Sequence, residues 1–257
     1  MTLEEAFSIQ EGEVISLVGA GGKTTLMFAL GEELSSHHKG IILTTTTKIR
    51  EPSKSPSFAL FLSRNFLEIK KWVGENLAAY PYLIIAQEKL ENGKLRGIPP
   101  RWAGELHSLP GVSFLIVEAD GAAGRSLKAP REGEPVVPGE TTLLVPVVGI
   151  DVLGCPLDER YVFRSEIAAR LLQTGLGQRV TEEMIARLLR EMIRFATKRA
   201  RVIPFINKVD LPADLALGKK LARYMLSGEH GSVTSVLLGH ARQSPVVKEV
   251  ISLSVTF

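Results

Sequence analysis

Apolar runs of strand length alternate with stretches of helical periodicity along most of this chain. Strands are predicted at 13–18, 40–45, 82–86, 113–117, 142–148, 202–206 and 233–238. Several are unbroken Val/Ile/Leu/Phe runs, as expected for strands covered on both faces. Helices are readable between them. Leu26, Met27, Leu30 and Leu34 share one stripe. Thr181 can cap a helix whose Glu182 and Glu183 suit the positive end of its dipole, with Ile185, Leu188, Leu189 and Met192 as the buried face. The pattern predicts a three-layer α/β fold around a doubly wound, mostly parallel sheet.

One insertion interrupts the alternation. Asn92-Gly93 lies between two strand-like halves and predicts a β-hairpin over about 82–98. The stretch from about 150 to 200 is mainly helical and is expected to form a small subdomain. With no repeats or linkers, residues 1–257 are expected to fold as a single domain.

Composition narrows the classes of function. The chain has 257 residues, 45% hydrophobic and 23% charged, with 31 basic against 28 acidic residues. It has no concentrated Lys/Arg run, so no nucleic-acid partner is expected. Cys155 is the only cysteine, which excludes an intrachain disulfide and a cysteine-based zinc site. The acidic first residues do not resemble a secretory signal, and no apolar run approaches the ~18 residues of a membrane span. A cytoplasmic protein without a membrane partner is expected.

The chemistry begins at "VISLVGAGGKTTLMFAL", residues 14–30. Gly19, Gly21 and Gly22, with Ala20 between them, allow positive φ and close backbone approach to a ligand. A helix beginning near Lys23 would aim unpaired amides and its positive end at an anion. Lys23 would reach β/γ-phosphates, Thr24 would place a hydroxyl for Mg²⁺, and Thr25 would complete the cradle. The usual phosphate-loop pattern has glycine at position 17, where this chain has Leu17, so only the G-x-G-G-K-T-T half matches.

Two further motifs follow at strand ends. In "SFLIVEADGAAGRSLKAP" a buried strand delivers Glu118 and Asp120, either of which could hold Mg²⁺. In "RVIPFINKVDLP" the Asn207-Lys208-Val209-Asp210 sequence has the N-K-x-D shape of guanine recognition. The Asp210 carboxylate could accept two hydrogen bonds from the base, while Lys208 would lie along it or brace the phosphate loop. Hydroxyls of Thr44 to Thr47 could line the same site, although threonine is also a good strand residue.

On "VGAGGKTTL" (18–26), "LTTTTKI" (43–49), "VEADGAAGRSLKAP" (117–130), "EPVVP" (134–138) and "INKVD" (206–210), the chain resembles the YqeC family, described as accessory proteins of selenium-dependent molybdenum hydroxylases. The resemblance implies a nucleotide-binding protein of the P-loop NTPase type that helps mature a molybdenum enzyme. Its partners would be a hydroxylase client or that client's cofactor-maturation proteins. More distantly, the layout is similar to GTPases that insert nickel into hydrogenase and urease. It departs from them in the missing first glycine and in lacking a Cys/His pair suited to a soft metal.

The expected function is therefore an Mg²⁺-dependent nucleoside triphosphatase using GTP or ATP. Lys23, Glu118 and Asp120 are the candidate catalytic groups, and Thr24, Glu118 and Asp120 the candidate metal ligands. The alternatives are a kinase or nucleotidyltransferase acting on a small molecule or the molybdenum cofactor, with Arg125 and Lys128 holding the acceptor, and a nucleotide-binding chaperone without turnover. Asp151, Cys155, Arg160 and Arg164 could form a second cleft beside the nucleotide, with Cys155 expected to be structural.

Overall fold

The unbroken apolar runs become the middle of one large sheet. A computed structural model describes residues 1–53, 55–227 and 233–253. Its strands are β1 (Val14–Gly19), β2 (Ile41–Thr45), β3 (Lys48–Arg50), β4 (Phe58–Leu62), β5 (Tyr82–Ala86), β6 (Glu88–Lys89), β7 (Lys94–Arg96), β8 (Phe114–Glu118), β9 (Leu127–Lys128), β10 (Leu143–Gly149), β11 (Val162–Phe163), β12 (Arg201–Val202), β13 (Phe205–Asn207), β14 (Ser235–Gly239) and β15 (Val247–Ser252). The helices are α1 (Leu3–Phe7), α2 (Lys23–Ser35), α3 (Phe66–Asn76), α4 (Arg101–His107), α5 (Ser165–Leu172), α6 (Glu182–Ile193) and α7 (Pro212–Leu226).

The main sheet has ten strands in the order β15-β14-β13-β10-β1-β8-β2-β5-β4, with β12 also pairing β10. Its ladders are parallel except β14–β15. The sequence pattern finds the interior strands and misses β4 and β15, which close the two edges. β4 reads Phe-Ala-Leu-Phe-Leu, an unbroken apolar run that the pattern reading passed over, although as an edge strand it is only half-buried. The run at 202–206 is two short strands, β12 and β13, separated by Ile203-Pro204, because proline offers no N–H to the ladder.

Alternation through each strand sorts side chains into two cores. Ile15, Leu17, Leu43 and Ile116 pack with the α2 stripe of Leu26, Met27, Leu30 and Leu34 and with Leu3 and Phe7 of α1. On the other face, Val18, Leu144, Val148 and Ile206 meet α5, α6 and α7 through Leu172, Ile185, Leu189 and Leu221. Leu83, Ile85, Leu115 and Val117 meet α3 and α4 on that same face. The result is a mixed α/β fold with helices on both faces of a mostly parallel sheet. The helical stretch after β10 thus forms part of a layer that packs directly on the sheet. Leu17 is fully buried against α2, which explains why a core side chain stands where the usual loop has glycine.

The predicted hairpin is present but shorter than 82–98: it consists of β6 and β7, while residues 82–86 are β5 of the main sheet. Gly93 has φ +72 in its turn and Asn92 Oδ1 accepts from the Lys94 amide. The sequence reading misses its third strand: β3 pairs β7 and completes a small antiparallel ribbon. Gly97 and Ile98 amides donate to the Thr47 and Thr45 carbonyls, at 2.6 and 2.8 Å, fastening the ribbon to the end of β2. A Cβ on Gly97 would lie 2.2 Å from the Thr45 carbonyl oxygen, so only glycine permits this contact. Among the described residues, no helix is long and apolar enough to cross a membrane.

Ile116 is fully buried in mid-sheet. Its replacement by Ala should destabilise the protein by roughly 2–4 kcal/mol, read as a lower urea midpoint with the far-UV spectrum unchanged below the transition.

Candidate functional site

The turn between β1 and α2 has its backbone shape fixed by crowding. Gly19, Gly21 and Gly22 have φ of +92, +85 and +122. A Cβ on Gly19 would lie 2.4 Å from the Val147 oxygen, and one on Gly21 2.2 Å from the Gly149 nitrogen. The turn is thus pressed against β10. Three of its amides are committed internally: Gly19 to Asp120 Oδ2 at 3.0 Å, Ala20 to the Val147 carbonyl at 2.9 Å and Gly21 to the Arg125 carbonyl at 2.8 Å. The next four, Gly22 to Thr25, have no acceptor among the described residues. They crown a helix of 13 residues with no side-chain cap. Four unfilled donors at a helix N-terminus favour an anion.

Buried charges surround this crown. Lys23 is 3% exposed. Its Nζ donates to the Gly19 carbonyl at 2.6 Å and lies 3.1 Å from Asp120 Oδ1 and 3.7 Å from Glu118 Oε1. Thr24 Oγ1 donates to Glu118 Oε2 at 2.7 Å. Burial pushes the Glu118 carboxyl up, Lys23 and Thr24 pull it back, and Asp120 adds to the rise. The Thr24 hydroxyl and the Glu118 carboxylate together form a hard-oxygen pair of the kind that suits Mg²⁺ alongside phosphate oxygens. Among the described residues there is no cluster of three or more His, Cys, Asp or Glu that could hold a metal unaided.

Asp120 plays a different part. It is 1% exposed, takes the Gly19 amide, and lies within 3.1 Å of Lys23 and 3.0 Å of Lys128. Its Oδ1 has that ionic neighbour but no aligned hydrogen bond. Lys128 is fully buried between Asp120 and Glu134, donating also to the Gly121 carbonyl. Glu134 in turn receives two guanidinium bonds from Arg164, at 2.7 and 3.1 Å, and one contact from Arg131 at 2.9 Å. The two carboxylates left open by sequence are thus told apart: Glu118 faces Thr24, while Asp120 ties two lysines to the start of the turn.

The N-K-V-D segment splits similarly. Asn207 is buried, its amide donating to the Gly21 carbonyl at 2.7 Å and its oxygen accepting from the Ala241 amide at 2.9 Å. It clamps the glycine turn to the loop after β14, and a Cβ on Gly22 would collide with it. Lys208 has φ +65, and its Nζ reaches Ser126 Oγ at 2.6 Å and Asp151 Oδ2 at 2.8 Å, beside the turn. Asp210 is exposed, with Oδ1 accepting from Gln243 at 2.7 Å. Thr44 and Thr45 bond the Ile85 and Glu118 carbonyls and so stitch strands, whereas Thr46 and Thr47 line the cleft.

That cleft, about 1210 Å³, runs from Gly21–Thr25 past Glu118 and the 121–125 loop to the β3–β7 ribbon. Ten of its lining side chains are basic and two acidic. Arg125, half of the acceptor pair suggested by sequence, lines it, whereas buried Lys128 does not. Non-glycine residues at positive φ gather here too: Ala123, Arg164 and Lys208 all line it, and such backbone strain concentrates at functional sites. Arg164 and Phe163 join this cleft, while Cys155 donates to the Asp151 carbonyl at 3.3 Å away from it. Burial and the nearby Asp151 and Asp158 push the Cys155 thiol up, away from a nucleophilic thiolate. Apart from Lys23, the basic lining was hidden from sequence because its members are scattered from 48 to 242.

Burial works against Glu134 ionising, but the Arg164 hydrogen bonds and the Lys128 and Arg164 charges outweigh it and hold the carboxyl at about 2, against 4.5 ordinarily. A depressed carboxyl stabilises the fold fully above its unfolded value, and that contribution is lost as pH falls from about 4.5 to about 2. Glu134→Gln should therefore cost on the order of 2 kcal/mol near neutrality. Chemical denaturation across pH should show wild type and variant converging as pH falls through that window.

A curated protein from Escherichia coli (strain K12), described as "Uncharacterized protein YqeC", is 27% identical over 251 residues, covering 91% of this chain and 90% of its own. No solved structure matches. The sequence profile of the family described as YqeC protein matches residues 15–166, more than half of the chain and inclusive of the glycine turn, both carboxylates, Lys128, Glu134 and Arg164; the chain belongs to the YqeC family.

Proposed function

We propose that this protein is an Mg²⁺-dependent nucleoside triphosphatase of the P-loop type, using GTP or ATP, that serves as an accessory in maturing a selenium-dependent molybdenum hydroxylase. The observation that carries the nucleotide part is the row of four unfilled amides, Gly22 to Thr25, opening into the same cleft as the Thr24–Glu118 pair. The accessory role rests on the family resemblance.

In this reading the amides bind the phosphate oxygens and Lys23 supplies charge beside them. Lys23 already contacts Glu118 and Asp120, so an incoming triphosphate competes with those carboxylates for its ammonium. Thr24 and Glu118 would hold Mg²⁺, which when bound neutralises phosphate charge and orients the terminal group. Asp120 keeps the turn in shape through Gly19 and Lys128. Asn207 fixes the far side of the turn, leaving Asp210 as the group that could read a guanine edge. Catalysis by such a site is positioning and charge stabilisation of the transferred phosphoryl group. The cleft exceeds the ~300–1,000 Å³ of an ordinary small-ligand pocket, which favours transfer to a second molecule as the second reading.

Calorimetric titration with GTP, ATP and their diphosphates, with and without Mg²⁺, tests the proposal. Wild type should bind a triphosphate, and Lys23→Met should weaken it by at least about 100-fold, or ~2.7 kcal/mol. Because Lys23 neutralises buried carboxylates, Thr24→Val is the companion: it should fold normally, keep Mg²⁺-free binding and lose the gain from Mg²⁺. Absence of triphosphate binding by the folded wild type would overturn the assignment. Asp210→Ala should reduce any preference for GTP over ATP.

A further inference from the structure

The nucleotide reading leaves one wall of the cleft unused. In the β3–β7 ladder Lys48 stands opposite Arg96 and Arg50 opposite Lys94. Ile49 and Leu95 turn inward, and all four charged residues are exposed. Two successive like-charge pairs directly across a ladder work against its pairing. Glu88 answers Arg96 at 2.9 Å, but Lys48, Arg50 and Lys94 have no carboxylate partner among the described residues. All four line the cleft. The ribbon holds them in place because Gly97 and Ile98 bind it to β2.

Sheet order fixes where this wall lies. β2, which carries the ribbon, is two strands from β1 on one side, and β13, which carries Asn207 and Lys208, is two strands away on the other. Each displacement is about 10 Å at the usual strand spacing. A nucleotide with phosphates on Gly22–Thr25 and its base towards β13 therefore presents its terminal phosphate towards the ribbon, beyond which no part of it extends.

We propose that Lys48, Arg50 and Lys94 bind a second small molecule carrying a phosphate group, beside the terminal phosphate of the nucleotide. This deepens the nucleotide reading and rests on it for the direction of approach. A phosphate presents several acceptor oxygens to cations on adjacent strands and removes the repulsion between them. A nucleic acid fits less well, since these cations share a cleft wall with the phosphate turn and form no continuous outer stripe.

The test begins with protein saturated with a non-hydrolysable triphosphate and Mg²⁺, titrated with inorganic phosphate and, separately, with glycerol phosphate. One further binding event is expected, weakening as salt is raised. Arg50→Gln/Lys94→Gln should weaken it about tenfold or more while leaving triphosphate affinity and the unfolding temperature unchanged or slightly raised. Tighter binding of the ester identifies an organic phosphate, and equal binding a free phosphate ion; either result supports the site. No second event, or one indifferent to the double substitution, overturns it. So does parallel loss of triphosphate binding, which would make the ribbon part of the nucleotide site. Should wild type bind no triphosphate, the nucleotide reading fails separately. The same titrations on nucleotide-free wild-type protein, with and without the ribbon substitutions, then decide the ribbon alone.

Discussion

Asp120 is the constraint on which the site depends. A carboxylate with 1% exposure is tolerable only if its charge is answered, and it is answered by Lys23 and Lys128 together with the Gly19 amide. Those contacts join the segment just after β8, the first glycine of the turn, the start of α2 and strand β9. Lys128 passes the constraint on to Glu134, and Glu134 to Arg164 and Arg131 at the cleft mouth. A chain of alternating charge therefore runs from the glycine turn to the surface. Removing any inner member leaves an uncompensated charge in the interior, which is worse than never having buried the pair.

The same chain helps explain why the turn holds its shape without any ligand. Three of its amides are spent on Asp120, Val147 and Arg125, and its Gly21 carbonyl on Asn207. These bonds fix the curvature and leave the next four amides turned to the cleft. Preorganised donors of that kind bind an anion without first reorganising. The basic wall contributed by the ribbon and by Arg125, Arg164, Lys208 and Arg242 adds a long-range attraction for polyanions. It does so in a chain whose total charge is only +3.

The interior of the fold was legible because strands buried on both faces are near-continuous apolar runs, as in "FLIV" ahead of Glu118 and in "LLVPVVG". Of the edges, β4 is an apolar run as solid as an interior strand and was passed over, whereas half-buried β15, Val-Lys-Glu-Val-Ile-Ser, carries no such run. The short strand β3 escaped for a related reason. Lys-Ile-Arg has one inward residue and acquires strand geometry only by pairing with β7.

By itself the sequence determined the glycine turn, the helix behind it, the carboxylates after the apolar run and the order of these pieces, since each is a local matter of backbone freedom or strand length. Only the tertiary structure decided their roles. Glu118 and Asp120 are two residues apart, yet strand geometry turns one towards Thr24 and the other between two lysines. Asn207 became a brace because β13 ends against the turn, and ten separate cations became one wall because the crossovers of a parallel sheet bring distant strand ends to a common edge.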